Sequence, residues 1–491
     1  MNFDFFNAGV FQFNVEQLRA LFPFLALCLG MVFTTIASAS KFPIAAHKLI
    51  LLITFFAFGT SMAVGLGSAD ASLFGGSLVV DDVLRWVAIG LSSLAVLALL
   101  AVYDVDHSEW STLLLVSVLG MSLLPGARDW ICFFLFLETM AIPGYVMAAF
   151  RQKRDGGYES GLKYLLMGAF ASALLLMGST LLFGATGSFE YSTISDVLQM
   201  GIPSHMTIAA VVLIVVSAGF KVAMAPLHMW AADVYQSAPS SLASFMAGAG
   251  KLAVFSAVSV AWSKSGFFKL EFVPSFLMVL GILSILIGNL MALTQKSLRR
   301  MLAYSSVASA GYVAIVLPVG EVALPSIFVY LVTYGIALSA AFAVIESLSV
   351  KSGKSSSSNF TLSDLALVPY GKAKAETFIL TLALFSMAGI PPLPGFLGKY
   401  LILSDVWTHS PVSALWILLG SMMGLAYYLR ILVPLYFEKG PSNDDVPVKR
   451  FIPQTVMASA FVGATGLFVW VWIYSVYFVS ATSETLLGTL R

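Results

Sequence analysis

Apolar runs of helical length recur along almost the whole of this chain, and they fix what it can fold into. A helix that crosses a bilayer needs about 20 mostly apolar residues. Fourteen candidate spans meet that ruler, near 18–38, 46–66, 83–102, 110–125, 129–149, 160–185, 206–227, 238–262, 274–294, 300–319, 323–349, 376–407, 411–436 and 452–478. Backbone N–H and C=O groups in hydrocarbon must bond within the protein, so runs of this kind become helices. The reading is an all-α multi-pass membrane protein. Only 10% of the residues are charged and 59% are hydrophobic, whereas a soluble domain carries about 25% charged residues. That composition leaves no room for a large soluble domain. A formal net charge of +1 gives no sign of nucleic-acid binding.

Two spans are interrupted. The seventh runs into Pro226 and the polar stretch HMWAADVYQSAPSS, and the twelfth contains GIPPLPG at 389–395. Proline removes a helix hydrogen bond and clashes with the preceding turn. The backbone groups it frees have to face protein or water. Paired interruptions suggest two inverted five-helix repeats with broken helices 7 and 12. The whole chain, 1–491, reads as one membrane domain. Helices 1–3 occupy 1–105, repeat one 106–265, repeat two 270–437, and the last helix and C-terminus 450–491.

Loop charges set the orientation. With the N-terminus outside, fifteen Lys and Arg fall in inner loops, among them Lys41, Lys296, Arg299 and Arg300, against six outside. That asymmetry satisfies the positive-inside rule. The first basic residue is Arg19, so the N-terminus lacks the charged region of a cleavable signal peptide and its first apolar run is expected to stay in the membrane. Cys28 and Cys132 match no metal or disulfide spacing and read as small buried hydrophobes.

Against this background a few charges stand out. Lys163, Lys221, Lys251, Lys399 and Arg430 lie inside apolar segments, as does Glu138. A charge at the centre of a membrane helix costs about 2.5–3.5 kcal/mol on insertion scales, and such residues usually mark ion or proton paths. Burial lowers a lysine pKa and raises a carboxyl pKa, and an opposite charge nearby reverses both. A lysine paired with a carboxylate therefore releases its proton when the partner moves, with no covalent chemistry. Lys221 lies just before the first break and Lys399 just after the second. The alternatives are a protonated Glu138 bonded to backbone, and lysines that snorkel to the interface, above all Lys163 near the start of its segment. Arg430 cannot realistically lose its proton and reads as an electrostatic or lipid-facing anchor. His228, at the first break, is either a relay or a hydrogen-bonded structural histidine. Tyr304, Ser305 and Ser306 either line a wet path or join helices. The GAGK string at Lys251 lacks the earlier glycine and the Ser/Thr of a phosphate loop. No metal cluster, haem pair, iron–sulfur cysteine set, dinucleotide fingerprint or nucleophilic triad is present, so no redox centre is expected on this chain.

Three strings together carry a resemblance over nearly the whole chain: GFKVAMAPLHMWAADVYQSAP, GNLMALTQKSLRRMLAYSSVASAGY and AGIPPLPGFLGKY. They resemble the antiporter-like subunits of respiratory complex I, the NADH–quinone oxidoreductase. DVYQSAP, a lysine at 399 where the M type usually has glutamate, and an end soon after the fourteenth span make the chain most similar to the N type, the counterpart of mitochondrial subunit 2. The resemblance implies proton translocation driven by quinone reduction elsewhere in the complex. It implies that Glu138 pairs with Lys221, that Lys163 and Lys251 link toward the centre, and that Lys399 ends the second half-channel. The tenth segment has no mid-helix acid equivalent to Glu138. The implied partners are neighbouring antiporter-like and small membrane subunits, the lipid bilayer and, indirectly, a peripheral arm. NADH, FMN, iron–sulfur clusters and quinone belong to the rest of that complex. The implied location is a bacterial plasma (inner) membrane, with both termini periplasmic. A subunit of a multi-subunit cation–proton antiporter, which shares the fold, and a scaffold whose lysines only join helices remain the rival readings.

Overall fold

The computed structural model describes residues 15–100, 109–150, 157–201, 204–352, 360–366, 368 and 373–437. The predicted fourteenth span lies outside them. In the first part of the chain the helices are α1 (Val15–Ala39), α2 (Ile44–Val64), α3 (Asp82–Leu100), α4 (Glu109–Leu123), α5 (Trp130–Ala149), α6 (Gly157–Thr186), α7 (Tyr191–Met200), α8 (His205–Lys221), α9 (Met229–Ser237), α10 (Ser240–Phe245) and α11 (Lys251–Lys264). There follow α12 (Phe272–Thr294), α13 (Leu298–Val316), α14 (Leu324–Lys351), α15 (Leu362–Leu365), α16 (Lys374–Ala388), α17 (Pro394–His409) and α18 (Pro411–Phe437). Among the described residues ten helical stretches are long and apolar enough to cross a membrane, and His205–Lys221 is a shorter apolar helix. The molecule is a multi-pass, mostly helical membrane protein.

Local chemistry explains where the helices that carry the site start and stop. Asp129 opens α5 by accepting a hydrogen bond from the Cys132 N–H at 2.7 Å, and Ser204 opens α8 by accepting one from the Thr207 N–H at 3.1 Å. Each satisfies one of the four N–H groups a helix leaves unpaired at its start. The seventh span was expected to continue to 227, but α8 stops at Lys221. Ala223 takes a left-handed backbone, φ 58°, and Pro226 follows, so no α-helix can run through. The chain resumes helix only at Met229. The second break is built differently. α16 ends on Gly389, whose φ of 86° lets its N–H turn back to the carbonyls of Phe385 and Ser386. Pro394 then starts α17 in the first turn, where its missing N–H costs nothing.

The eighth span is not one α-helix. Met246–Gly250 forms a π-helical turn between α10 and α11. Turns of this kind often sit at functional sites. A Cβ on Gly248 would lie 3.0 Å from the Gly335 Cα, so α14 crosses here at backbone distance. Two elements had no sequence prediction. β1 (Ala71–Leu73) and β2 (Leu78–Val80) form an antiparallel hairpin between α2 and α3. α7, ten residues long, fills the connection between α6 and α8.

α12 packs along α13, α6 along α8 and α4 along α5, while α14 meets α10, α16 and α17, and α9 meets α13. α11 and α13 are buried along nearly their whole length, which puts them at the centre. Large apolar side chains such as Phe22, Phe56, Phe170 and Met422 point outward. A bilayer is the environment that suits such a surface. This also corrects the reading of the cysteines: Cys28 is exposed and Cys132 only partly buried. An apolar residue on a membrane helix has lipid as an alternative to the core.

Candidate functional site

α5, α6 and α8 bring four polar groups together in the first half of the molecule. Lys221, the last residue of α8, places its Nζ 3.0 Å from Glu138 Oε1, 2.9 Å from the Tyr145 hydroxyl and 3.3 Å from Ser172 Oγ. An ammonium has three N–H donors, and here three oxygens surround it. The lysine side chain is 3% exposed and the glutamate 16%. Ser172 Oγ also lies 2.5 Å from Glu138 Oε1 and 2.9 Å from the Gly168 carbonyl. The carboxylate is thus held by a hydroxyl as well as by the ammonium. Gly168 makes the arrangement possible, because a Cβ there would stand 2.2 Å from the Tyr145 oxygen. Deleting one partner of such a buried pair costs about 3–5 kcal/mol, since the other charge stays in place without compensation.

The site is closed on one side by aromatic rings. Tyr145 meets Tyr164 edge to face at 4.6 Å, and Tyr164 stacks on Trp230 at 4.5 Å. Trp230 donates through Nε1 to the Phe220 carbonyl at 3.0 Å and so ties α9 back to α8 across the break. Beyond these rings lies Lys163. Its side chain is 47% exposed and pairs with Glu159 at 2.7 Å and with Asp233 at 3.4 Å. Lys163 therefore belongs to a surface ion-pair group that also includes Arg300, 2.7 Å from Asp233. His228 sits at the start of α9 with its ring edge-on to Tyr304 at 6.1 Å.

Lys251 and Lys399 lie apart from that pair. Lys251 is buried at the head of α11, where its ammonium donates to the Ser306 carbonyl and to Ser309 Oγ, the latter at 3.2 Å. Lys399, on α17, donates to the Ala388 carbonyl at 3.0 Å and lies over the Tyr312 ring, 5.6 Å from its centre. Among the described residues no ion pair to a carboxylate forms at either lysine. Serine and tyrosine hydroxyls of α13, α14 and α18 meet one another nearby. Ser305 bonds Tyr334 at 3.1 Å and also Tyr428. Tyr334 stacks on Tyr330 at 6.0 Å, and Tyr330 meets Tyr312 at 6.3 Å. Arg430 stands at the surface and donates to the Leu293 carbonyl at 2.5 Å, capping the end of α12.

Several participants carry little signal in the sequence. Tyr145 and Ser172 carry none, because tyrosine and serine are ordinary in membrane helices. Asp233 lies in DVYQSAP, at the edge of a polar stretch where a charge is unremarkable. Arg299 reads as an inner-loop residue, yet its side chain is 0% exposed and its Nη1 lies 3.7 Å from Glu346 Oε2. Glu346 stands near the end of a long apolar run, where a charge is ordinary, and is nevertheless buried.

Among the described residues no group of three His, Cys, Asp or Glu side chains could hold a metal ion. Residues 127–424 match the family model described as NADH:quinone oxidoreductase/Mrp antiporter, TM. NADH-quinone oxidoreductase subunit N of Acinetobacter baumannii is 34% identical over 398 residues, covering 77% of this chain and 80% of that protein. The subunit N of Desulfitobacterium hafniense is 31% identical over 89% of this chain and 90% of its own length. Among solved structures, a chain of respiratory complex I from Thermus thermophilus superposes with a TM-score of 0.75 at 29% identity, covering 91% of this chain and 96% of that one. A chain of the Mrp complex from Dietzia shares the fold, with a TM-score of 0.78 at 17% identity and coverage of 94% and 96%. By sequence and by fold, this chain belongs to the NADH:quinone oxidoreductase/Mrp antiporter family and, within it, to the N subunits of NADH-quinone oxidoreductase.

Proposed function

We propose that the chain is a proton-translocating membrane subunit of an NADH:quinone oxidoreductase. In this reading it moves protons through buried Lys and Glu side chains while quinone is reduced in other subunits. The observation that carries the reading is the Lys221–Glu138 pair at the end of a broken helix, with Tyr145 and Ser172 completing the ammonium's shell. A pair of this kind holds a proton while its partners stay close. It lets the proton go when the helix end that carries Lys221 shifts. Lys251 and Lys399 continue the path, with serine and tyrosine hydroxyls nearby where the first half has a carboxylate. Lys163 takes its place at the rim, and His228 stands beside the break. Redox cofactors, NADH, FMN, iron–sulfur clusters and quinone, belong to the partner subunits.

The same reading assigns fourteen spans arranged as three helices, two inverted five-helix repeats and a final helix. The breaks at 222–228 and 389–393 are the corresponding points of the two repeats. It places the chain in a bacterial inner membrane with both termini outside, among neighbouring antiporter-like and small subunits.

Lys221→Arg and Lys221→Ala in the assembled complex test the proposal. Arginine keeps the positive charge but does not release its proton. Both variants are expected to abolish most proton pumping and coupled quinone reduction. Normal pumping with Arg at 221 would show that only the charge matters and would support the scaffold reading. Sodium-dependent exchange by the chain together with antiporter partners would support the antiporter reading.

A further inference from the structure

Two adjacent arginines of the second half grip the half-helix that follows the break in the first. Arg300 donates through Nη1 to Asp233 Oδ1 at 2.7 Å and to Gln236 Oε1 at 3.0 Å. Arg299 donates through Nε to the Tyr235 carbonyl at 3.0 Å and through Nη2 to the Ala238 carbonyl at 2.5 Å. Those two carbonyls lie at the C-terminal end of α9, where a helix leaves acceptors unpaired and carries partial negative charge. Behind Arg299 stands Glu346 of α14, which also accepts from Ser240 Oγ at 2.7 Å. The guanidinium of Arg299 is wholly buried. Burying a charge costs several kcal/mol unless it is paired and hydrogen-bonded, so topology signalling alone does not account for this placement.

The grip has a far end. α13, whose first turn carries this arginine pair, also supplies the Ser306 carbonyl and the Ser309 hydroxyl that hold Lys251. α9 in turn is tied to the Lys221 region through Trp230 and the Phe220 carbonyl. We infer that Arg299 and Arg300, with Asp233 and Glu346, form a clamp that transmits movement at the first break to the acceptors of Lys251. Asp233 is shared between Arg300 and Lys163, so the clamp's hold also depends on which carboxylate, Glu159 or Asp233, Lys163 engages. These are positioning residues, since none of them touches Lys221. The inference rests on the proton-transfer reading of Lys221.

Asp233→Asn and Arg300→Gln, alone and combined, test it in the assembled complex, with Arg300→Lys and Lys221→Arg measured beside them. The readout is protons moved per quinone reduced, together with quinone reduction in the presence of an uncoupler. Each charge-removing variant is expected to keep the uncoupled rate and to lower the pumping rate about fivefold or more, the usual lower bound for coupling between sites. The double variant should fall by less than the product of the two single effects, because both remove the Arg300–Asp233 contact. Arg300→Lys should retain most of the coupling. A merely structural role would change the amount of complex without changing protons per quinone. Impaired Lys221→Arg alongside unchanged ratios in Asp233→Asn and Arg300→Gln would overturn the clamp alone. Normal pumping in Lys221→Arg would overturn the reading on which it rests. Loss of assembly in both single variants would make the contact a folding brace and would also overturn the clamp.

Discussion

Lys221 and Glu138 could be found in the sequence because each is a lone charge in an apolar run, and such a charge needs a reason. Tyr145 carried no such mark, although its hydroxyl is the nearest of the three acceptors around the ammonium. Its contribution can be measured. A hydrogen bond to a charged group contributes about 1.5–3 kcal/mol. Tyr145→Phe is therefore expected to lower coupled proton transfer about tenfold, with the complex still assembled. A rate equal to the parent's would show that the Tyr145 hydroxyl does not contribute to proton transfer at Lys221. Arg299 and Glu346 escaped for another reason. They lie at the ends of apolar runs, where charge is expected, and they meet only through a fold that joins residues far apart in sequence.

At the scale of elements, the proline and glycine positions made both broken helices legible, since neither GIPPLPG nor APLH can continue an α-helix. The length of each break was less legible. α8 stops earlier than the apolar run because the backbone turns left-handed at Ala223, and no residue type announces that. The hairpin at 71–80 and α7 were invisible because short elements between spans leave too little periodicity to read. Glycines set how closely the helices cross. A Cβ on Gly311 would lie 2.6 Å from the Gly281 carbonyl, and one on Gly288 would lie 2.6 Å from the Ala308 nitrogen. Small residues at such crossings let membrane helices approach and pack. Gly311→Val is therefore expected to push α12 from α13 and destabilise the fold by about 1–3 kcal/mol, the usual cost of overpacking. Thermal melting of the purified chain in detergent measures this. An unchanged midpoint would mean that the crossing is looser than its distances imply.

For the molecule as a whole, the charge asymmetry of the loops predicts a defined orientation. Phe74→Cys, in the hairpin, should react with an impermeant thiol reagent only from outside. Lys41→Cys should react only from inside, before and after opening the vesicles. Reversed labelling would invert the proposed topology. Isolation in mild detergent offers a second check at this scale: flavin and iron–sulfur proteins should accompany the chain. Membrane class could be read from the sequence because hydrocarbon permits so few backbone solutions. The meeting of α9, α13 and α14 could not, because it runs through backbone carbonyls and buried ion pairs rather than through any periodic pattern.

The bond from Lys399 to the Ala388 carbonyl joins a titratable group to the last residue of α16. A cation at that end of a helix stabilises it by about 0.3–1 kcal/mol, and by as much as about 2 kcal/mol where partly buried. A neutral side chain at that position leaves the helix end without its counter-charge. Backbone order in the last turn of α16 therefore depends on which side chain stands at 399. Amide exchange there, corrected for intrinsic rates, should be faster in Lys399→Met than in the parent. Equal rates would show that this bond does not hold the helix end.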